Sequence, residues 1–404
     1  MKKLVLAIGM AIMSSGTQAV TTLGLDADCN SNGTFLGLVA FNGGTYVRCD
    51  LPTPIAVNDT VVLAKNSATL GLPIVWTLPG IVEVGNGNAQ NSDPATVDNT
   101  ELSIEAGTQI AGAVVSQSAL VISRGSTIRA QGTASDPIVF SSLDNNFNGS
   151  GEWGGLVLAG FAESNQCPSA AGQDTCVQEG VNANFYYGGG KFLNTASSGT
   201  LEYVVVAEGG STVAPDSEIN GITFYAVSSA TTVNNIHVHN NQDDGVEFFG
   251  GNVGVNRLWL TCNEDDSVDW DEGYRGSLTD INLVQDDGGA GLGADHAFEL
   301  ASNPNNPAAL PQASGTVTNV SISYVGSSSL PDVPFKLKEG TNASFTNVVI
   351  GSAYNTLNCD NIDATSSATF SLMGYGCTSS VLPASSATAT GFTQASFWSA
   401  PACD

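Results

Sequence analysis

Short runs of alternating apolar and polar residues recur along the chain, and Gly, Asn, Asp and Ser fill the gaps between them. Ala119–Ser123, Pro137–Phe140, Leu156–Leu158, Leu201–Val206 and Ile222–Phe224 are typical. Such runs suit pleated strands, and the gap residues are those of tight turns. No segment shows a convincing helical period. One stretch repeats: Val233–Phe249 aligns with Val255–Asp271 at a constant offset of 22. Val233 meets Val255, Ile236 meets Leu258, Val238 meets Leu260, Val246 meets Val268 and Phe248 meets Trp270. The acids follow the same rule, with Asp243 and Asp244 meeting Asp265 and Asp266. A looser third copy starts at Leu278, where Ile281 and Leu283 continue the apolar pair at an offset of 23.

A period near 22 built from short strands and polar turns suits one coil of a parallel β-helix. Equivalent residues of successive coils then stack about 4.8 Å apart. An antiparallel β-sandwich competes, but gives no reason for apolar and acidic positions to share one offset. The pattern therefore predicts an all-β chain: a single-stranded right-handed parallel β-helix of about 22 residues per coil, with N- and C-terminal caps. The helix is expected over 96–380. Residues 20–95 are expected to cap its first coil, because an open end is a strand template. A Ser/Ala/Thr-rich tail, 381–404, is expected to form the second cap.

Residues 1–19 read as a secretory signal peptide: Lys2 and Lys3, a short apolar run from Leu4 to Met13, then Thr17-Gln18-Ala19 as a small-residue cleavage site. That run is too short to span a bilayer, and no later segment is long and apolar enough. An exported chain with eight Cys implies disulfides. Cys29 with Cys49 and Cys167 with Cys176 are local pairs; Cys262, Cys359, Cys377 and Cys403 leave three pairings open, with Cys359 and Cys377 nearest in the chain. No CxxC occurs, and the three His are not near these Cys, which argues against zinc.

The chain has 404 residues, 38 acids against 11 Lys and Arg, and a net charge of −27. At 42% hydrophobic it is too apolar for a disordered acidic tail. The charge excludes a basic nucleic-acid surface and docking on anionic lipid.

Several motifs carry a family resemblance. Arg124–Thr133 (RGSTIRAQGT), Asp136–Phe140 (DPIVF), Gly151–Gly160 (GEWGGLVLAG), Tyr187–Gly190 (YGGG), Glu218–Thr223 (EINGIT), Asp243–Gly251 (DDGVEFFGG) and Asp265–Gly276 (DDSVDWDEGYRG) resemble, in this order, a widespread group of secreted bacterial parallel β-helix proteins. The resemblance covers roughly 100–300. It implies the fold and export to the outside or outer surface of a bacterium, or to its periplasm, and no particular reaction. The lipobox and sorting tail of some members are absent.

Thirteen acids lie between Asp243 and Asp295, opposed by Arg257 and Arg275. In coil register Asp243 stacks on Asp265, Asp244 on Asp266 and Glu247 on Asp269. Carboxylates about 5 Å apart repel by about 3 kcal/mol at an effective dielectric near 20. A cation, a shared proton or water must relieve that. Hard oxygen ligands in turns favour Ca²⁺, so Asp243, Asp244, Glu247, Asp265, Asp266 and Asp269 are candidate calcium ligands; a solvated acidic face is the plainer alternative.

A catalytic reading competes. Inverting glycoside hydrolysis needs two carboxyl groups about 6.5–9.5 Å apart, a role open to Asp243, Asp265 and Asp266. A polysaccharide lyase would instead use Lys336, Lys338 or His296 as base, with Arg275 or Ca²⁺ neutralising a uronate. The chain lacks the Asn-Thr-Asp, Gly-His-Gly and Arg-Ile-Lys motifs of polygalacturonase-like enzymes. His237 and His239 share a strand face and could ligate Zn²⁺ or Cu²⁺, though their repeat equivalents, Trp259 and Thr261, point to a side-chain ladder. Trp153, Trp259, Trp270 and Tyr274 would stack on sugar rings if exposed; alternation turns Trp259 outward and Trp270 inward. The reading that follows is a secreted or cell-surface calcium-binding protein acting in extracellular polymer binding, matrix or adhesion. The alternative is a lyase or hydrolase using the acidic face.

Overall fold

The computed structural model describes residue 23 and residues 26–403 apart from 90–93, 115–116, 145, 168–175, 179–180, 182–184, 190–193, 215–216, 288–293 and 328–330. The expected signal peptide lies outside the described residues.

The chain winds as a parallel β-helix with three faces per coil. A 15-stranded sheet supplies two faces and a 9-stranded sheet the third. The repeat read from the sequence is the strand register. Val233 pairs with Val255, Ile236 with Leu258 and Val238 with Leu260 on the large sheet. Val246 pairs with Val268, and Phe248 with Trp270, on the small one. Strand Ser277–Gln285 continues the stack with Leu258 against Ile281, confirming the offset of 23.

Alternation along each strand sends one set of side chains inward. Val233, Ile236, Val238, Val246 and Phe248 of one coil are all buried. Aromatic rings stack between coils: Phe224 on Phe248 at 5.0 Å, and Phe248 on Tyr274 at 4.6 Å. Trp153, Trp270 and Tyr274 are fully buried, so none can stack on a sugar.

The large sheet bends because one residue per coil is left-handed. Tyr203, Asn235, Arg257, Asp280, Asn319, Asn347 and Leu372 occupy equivalent positions, each with φ between 50° and 60°. Asn and Asp tolerate this conformation best. Their amides also bond across coils: Asn347 Nδ2 donates to Asn319 Oδ1 at 2.7 Å, and Asn319 Nδ2 to Asp280 Oδ1 at 2.7 Å. Leu372 gains neither benefit and is 43% exposed. Leu372→Asn is therefore expected to stabilise the protein by about 1 kcal/mol in denaturant titration; no gain would show that the bend is unstrained.

Two expected boundaries differ from the structure. Parallel pairing begins inside 20–95, with Val47 against Ile74 and Ile81 against Ala119. Ahead of it stands an antiparallel hairpin, Thr34–Phe41 with Gly44–Asp50. The irregular lengths between these early strands hide the period.

The tail covers the core only at its start, where Leu382 packs against it. It runs back along the outer face of the large sheet. Ser386 N donates to Met373 O, Thr390 N to Asn347 Oδ1 at 2.8 Å, and Phe392 N to Ser321 Oγ at 3.1 Å. Farther along, Phe392 and Phe397 pack on Trp259, and Trp398 packs edge-on against His237. Trp259 does turn outward, as alternation requires, yet it is 2% exposed because this strap covers it.

All eight Cys are paired: Cys29–Cys49, Cys167–Cys176, Cys262–Cys403 and Cys359–Cys377. Cys262–Cys403 ties the strap's end to the solenoid.

Candidate functional site on the small sheet

The outward positions of the small sheet form a column: Thr223, Glu247, Asp269, Glu299, Lys336 and Asn361 in successive coils. The turns entering this sheet carry Asp243–Asp244, Asp265–Asp266 and Asp295–His296. Turn and column meet along one edge, so the acids converge as their 22-residue register requires. Two sets of oxygens lie within 4.8 Å of one another: Asp243, Asp244 and Asp265, and Asp244, Glu247 and Asp269. Oxygens of Asp266 and Asp295 with a ring nitrogen of His296 form a further group within the same distance.

The paired Asp have a structural use that the sequence does not reveal. Asp244 Oδ1 accepts the Asp266 N–H at 3.0 Å, and Asp266 Oδ1 accepts the His296 N–H at 2.7 Å. The second acid of each turn thus caps the backbone of the next coil. Asp266 Oδ1 also meets His296 Nδ1 at 2.9 Å. Burial lowers the basicity of His296, but Asp266 outweighs it and the imidazole's pKa is raised.

Burial and mutual repulsion push these carboxyls upward. Asp243 rises to about 7 by burial, with the Asp265 charge adding, and Asp266 rises to about 6, chiefly by burial. Asp244, Glu247 and Asp269 are held well above the usual carboxylate range for the same reasons. Asn220 Nδ2 donates to Glu247 Oε2, whereas Asp269 Oδ1 is buried with no hydrogen-bond partner.

Glu299 is the exception. Burial would raise it, but Lys336 Nζ at 2.6 Å and the Lys338 ammonium hold it below the usual range. Glu299 and the role it plays were missed from sequence; its register with Asp269 and Lys336 spans offsets too irregular to read. The same ion pairs raise both lysine pKa values against the effect of burial, which leaves them poor bases near neutrality. Asp243 and Asp265 bring oxygens within 4.8 Å of each other, closer than the separation of an inverting pair.

Arg275 is not brought into this edge. It follows the small-sheet strand instead of preceding it, and its Nη2 pairs with Glu163 Oε2 at 2.6 Å. His237 and His239 lie on the large sheet beneath the strap. His237 bonds Ser396 Oγ at 2.8 Å and Thr261 Oγ1 at 3.0 Å, and His239 bonds the same Thr261 Oγ1 at 2.8 Å.

The outer column beside the acids is aromatic but covered. Tyr225 stacks on Phe249 at 4.6 Å, and both are buried in one cluster with Phe185, Tyr187 and the paired Cys167 and Cys176. Among the described residues the acidic edge therefore has no exposed aromatic platform.

A family model for a pectate-lyase-like β-helix domain matches residues 91–384. The chain belongs to that family. No curated protein and no solved structure matches it. Within this pectate-lyase-like β-helix, no helix among the described residues is long and apolar enough to cross a membrane.

Proposed function

We propose that this chain is an extracellular β-helix protein that binds Ca²⁺ along its acidic edge and acts in polymer binding, matrix or adhesion. The family supports an extracellular, polysaccharide-related role in general terms. The observation that carries the calcium reading is the Asp269 carboxylate: its Oδ1 is buried and unpaired, and one of its oxygens lies within 4.8 Å of oxygens of Asp244 and Glu247. Hard oxygen donors with flexible spacing favour Ca²⁺ over transition metals. The lysines tied to Glu299 weigh against cleavage, and the covered aromatics direct any polymer contact to the carboxylates and their cation instead of to ring stacking.

The test is incubation of the full chain with acidic and neutral polysaccharides, with Ca²⁺ and with EGTA. Calcium-dependent retention without new chain ends is expected. New reducing ends or unsaturated products would establish an enzyme instead, and loss of the unsaturated product in Lys338→Met would assign a lyase base.

A further inference from the structure

A second group of carboxylates lies away from the acidic edge. Asp144, Glu152 and Glu208 bring oxygens within 4.8 Å of one another. Residues 144–152 connect the large-sheet strand Ile138–Ser142 to the small-sheet strand Leu156–Ala159, and Glu208 follows strand Gly199–Ala207 in the next coil. Gly151 N donates to Gly209 O at 2.7 Å and Glu152 N to Glu208 O at 3.0 Å, so the two segments run side by side.

Glu208 is fully buried. Its Oε2 accepts the Ser142 N–H at 3.2 Å, but its Oε1 has no hydrogen-bond partner. Glu152 Oε2 is buried and unpaired as well. Burial above all, with the Glu152 and Asp144 charges adding, pushes the Glu208 carboxyl up to about 7. A buried carboxylate with an open oxygen, facing two further carboxylates, lacks a partner of positive charge. No Lys or Arg pairs with any of the three in the described residues.

The loop's own sequence points to the same partner. Asp144, Asn146, Asn148 and Gly149 follow the order D-x-N-x-N-G, the first half of a calcium-loop pattern whose ligands come from alternate positions. Glu152 stands at the ninth position. The twelfth, where such loops carry a bidentate Glu, is Gly155, and here a buried Glu arrives from the neighbouring coil instead.

We propose that Asp144, Asn146, Glu152 and Glu208 form a second Ca²⁺ site, separate from the acidic edge, in which Glu208 supplies the buried carboxylate from the next coil. Oxygen-only donors select a hard cation, and three carboxylates with flexible loop oxygens suit Ca²⁺ better than octahedral Mg²⁺. The site adjoins the strap. Asn240 Nδ2 donates to Phe147 O at 3.2 Å, and the Phe147 ring meets Trp398 at 5.5 Å.

Trp153 offers a local reporter. It follows Glu152 directly, and its Nε1–H donates to Ala207 O at 2.7 Å, one residue before Glu208. Chelator-stripped full-length protein should sensitise Tb³⁺ luminescence through this indole, and Ca²⁺ should quench it by competition. Glu208→Gln, which keeps the shape of the buried side chain, should abolish that signal and remove one Ca²⁺ from the calorimetric stoichiometry. Asp144→Asn, in the exposed part of the loop, should weaken the same step at least tenfold and carries the test if Glu208→Gln does not fold. Unchanged stoichiometry and affinity in Asp144→Asn, or no sensitised emission from the wild type, would overturn the proposal in favour of a proton shared among the three carboxyls.

Discussion

Asp269→Asn should raise the melting temperature of the calcium-free protein and abolish most of the further rise that calcium gives the wild type. Asp269 Oδ1 is buried without a hydrogen-bond partner, and Asp244 and Glu247 place oxygens within 4.8 Å of the Asp269 carboxylate. At that distance each pair of charged carboxylates repels by about 3 kcal/mol at an effective dielectric near 20. Burial first, and this repulsion after it, hold the three pKa values well above the usual range, so without a cation the carboxyls keep protons. An amide at 269 removes one charge and adds an N–H donor that both neighbours can accept. The expected gain in EGTA is about 2 kcal/mol, since part of the repulsion is already relieved by protonation. In calcium the order reverses, because the variant has lost a charged ligand. Paired thermal melts in EGTA and in Ca²⁺ measure both effects. An Asn variant that melts below the wild type in EGTA would show that Asp269 is stabilised by contacts other than an ion. A wild type indifferent to EGTA would reduce the edge to a solvated acidic face.

The coil register was legible because two adjacent coils, from Thr232 to Asp271, have no insertion between their strands. Elsewhere the equivalent strands stand at unequal spacings, from Ser277 to Thr316 for example, and pairing survives only in three dimensions. The stacked acids were legible for the same reason, since in-register residues must stack. Their capping role was not, because it depends on a carboxylate reaching the backbone N–H one coil away. Alternation placed Lys336 and Lys338 on one face; it could not show that Glu299 takes both ammoniums. The direction of Trp259 was readable from its neighbours Leu258 and Leu260. Its burial was not, since Gln394, whose carbonyl accepts the indole N–H at 3.3 Å, lies 135 positions later.

That long-range cover leads to the second large effect. Replacing Cys262 and Cys403 together by Ser should free the end of the strap and cost about 5 kcal/mol in the chain-entropy estimate for so long a loop. The strap's remaining hold is Phe392, Phe397 and Trp398 on Trp259 and His237, with Ser396 Oγ on His237 Nδ1. That hold is expected to weaken as the pH falls. Burial depresses His237 to about 3, with the His239 charge adding, and depresses His239 to about 4. Both lie below the ordinary value near 6.5 that they would regain once uncovered. A histidine whose bound-state pKa is lowered gives its full contribution above the uncovered pKa and loses it as pH falls toward the bound value. Thr261, Ser396 and Trp398 face these rings, and the Phe147 and Thr261 backbone offsets part of the depression of His239; none of these groups carries a negative charge. In the double Ser variant, hydrogen exchange over 386–400 should therefore accelerate steadily from pH 6.5 to pH 4, once corrected for intrinsic rates. The wild type, still tethered at Cys403, should show a smaller acceleration. Adding His237→Gln, which keeps a hydrogen bond to Ser396 and removes one of the two titrating groups, should weaken the dependence and leave the part that His239 contributes. Equal protection at pH 7 and pH 4 in the double Ser variant would mean that the aromatic contacts alone hold the strap and that the buried histidines are passive filling beneath it.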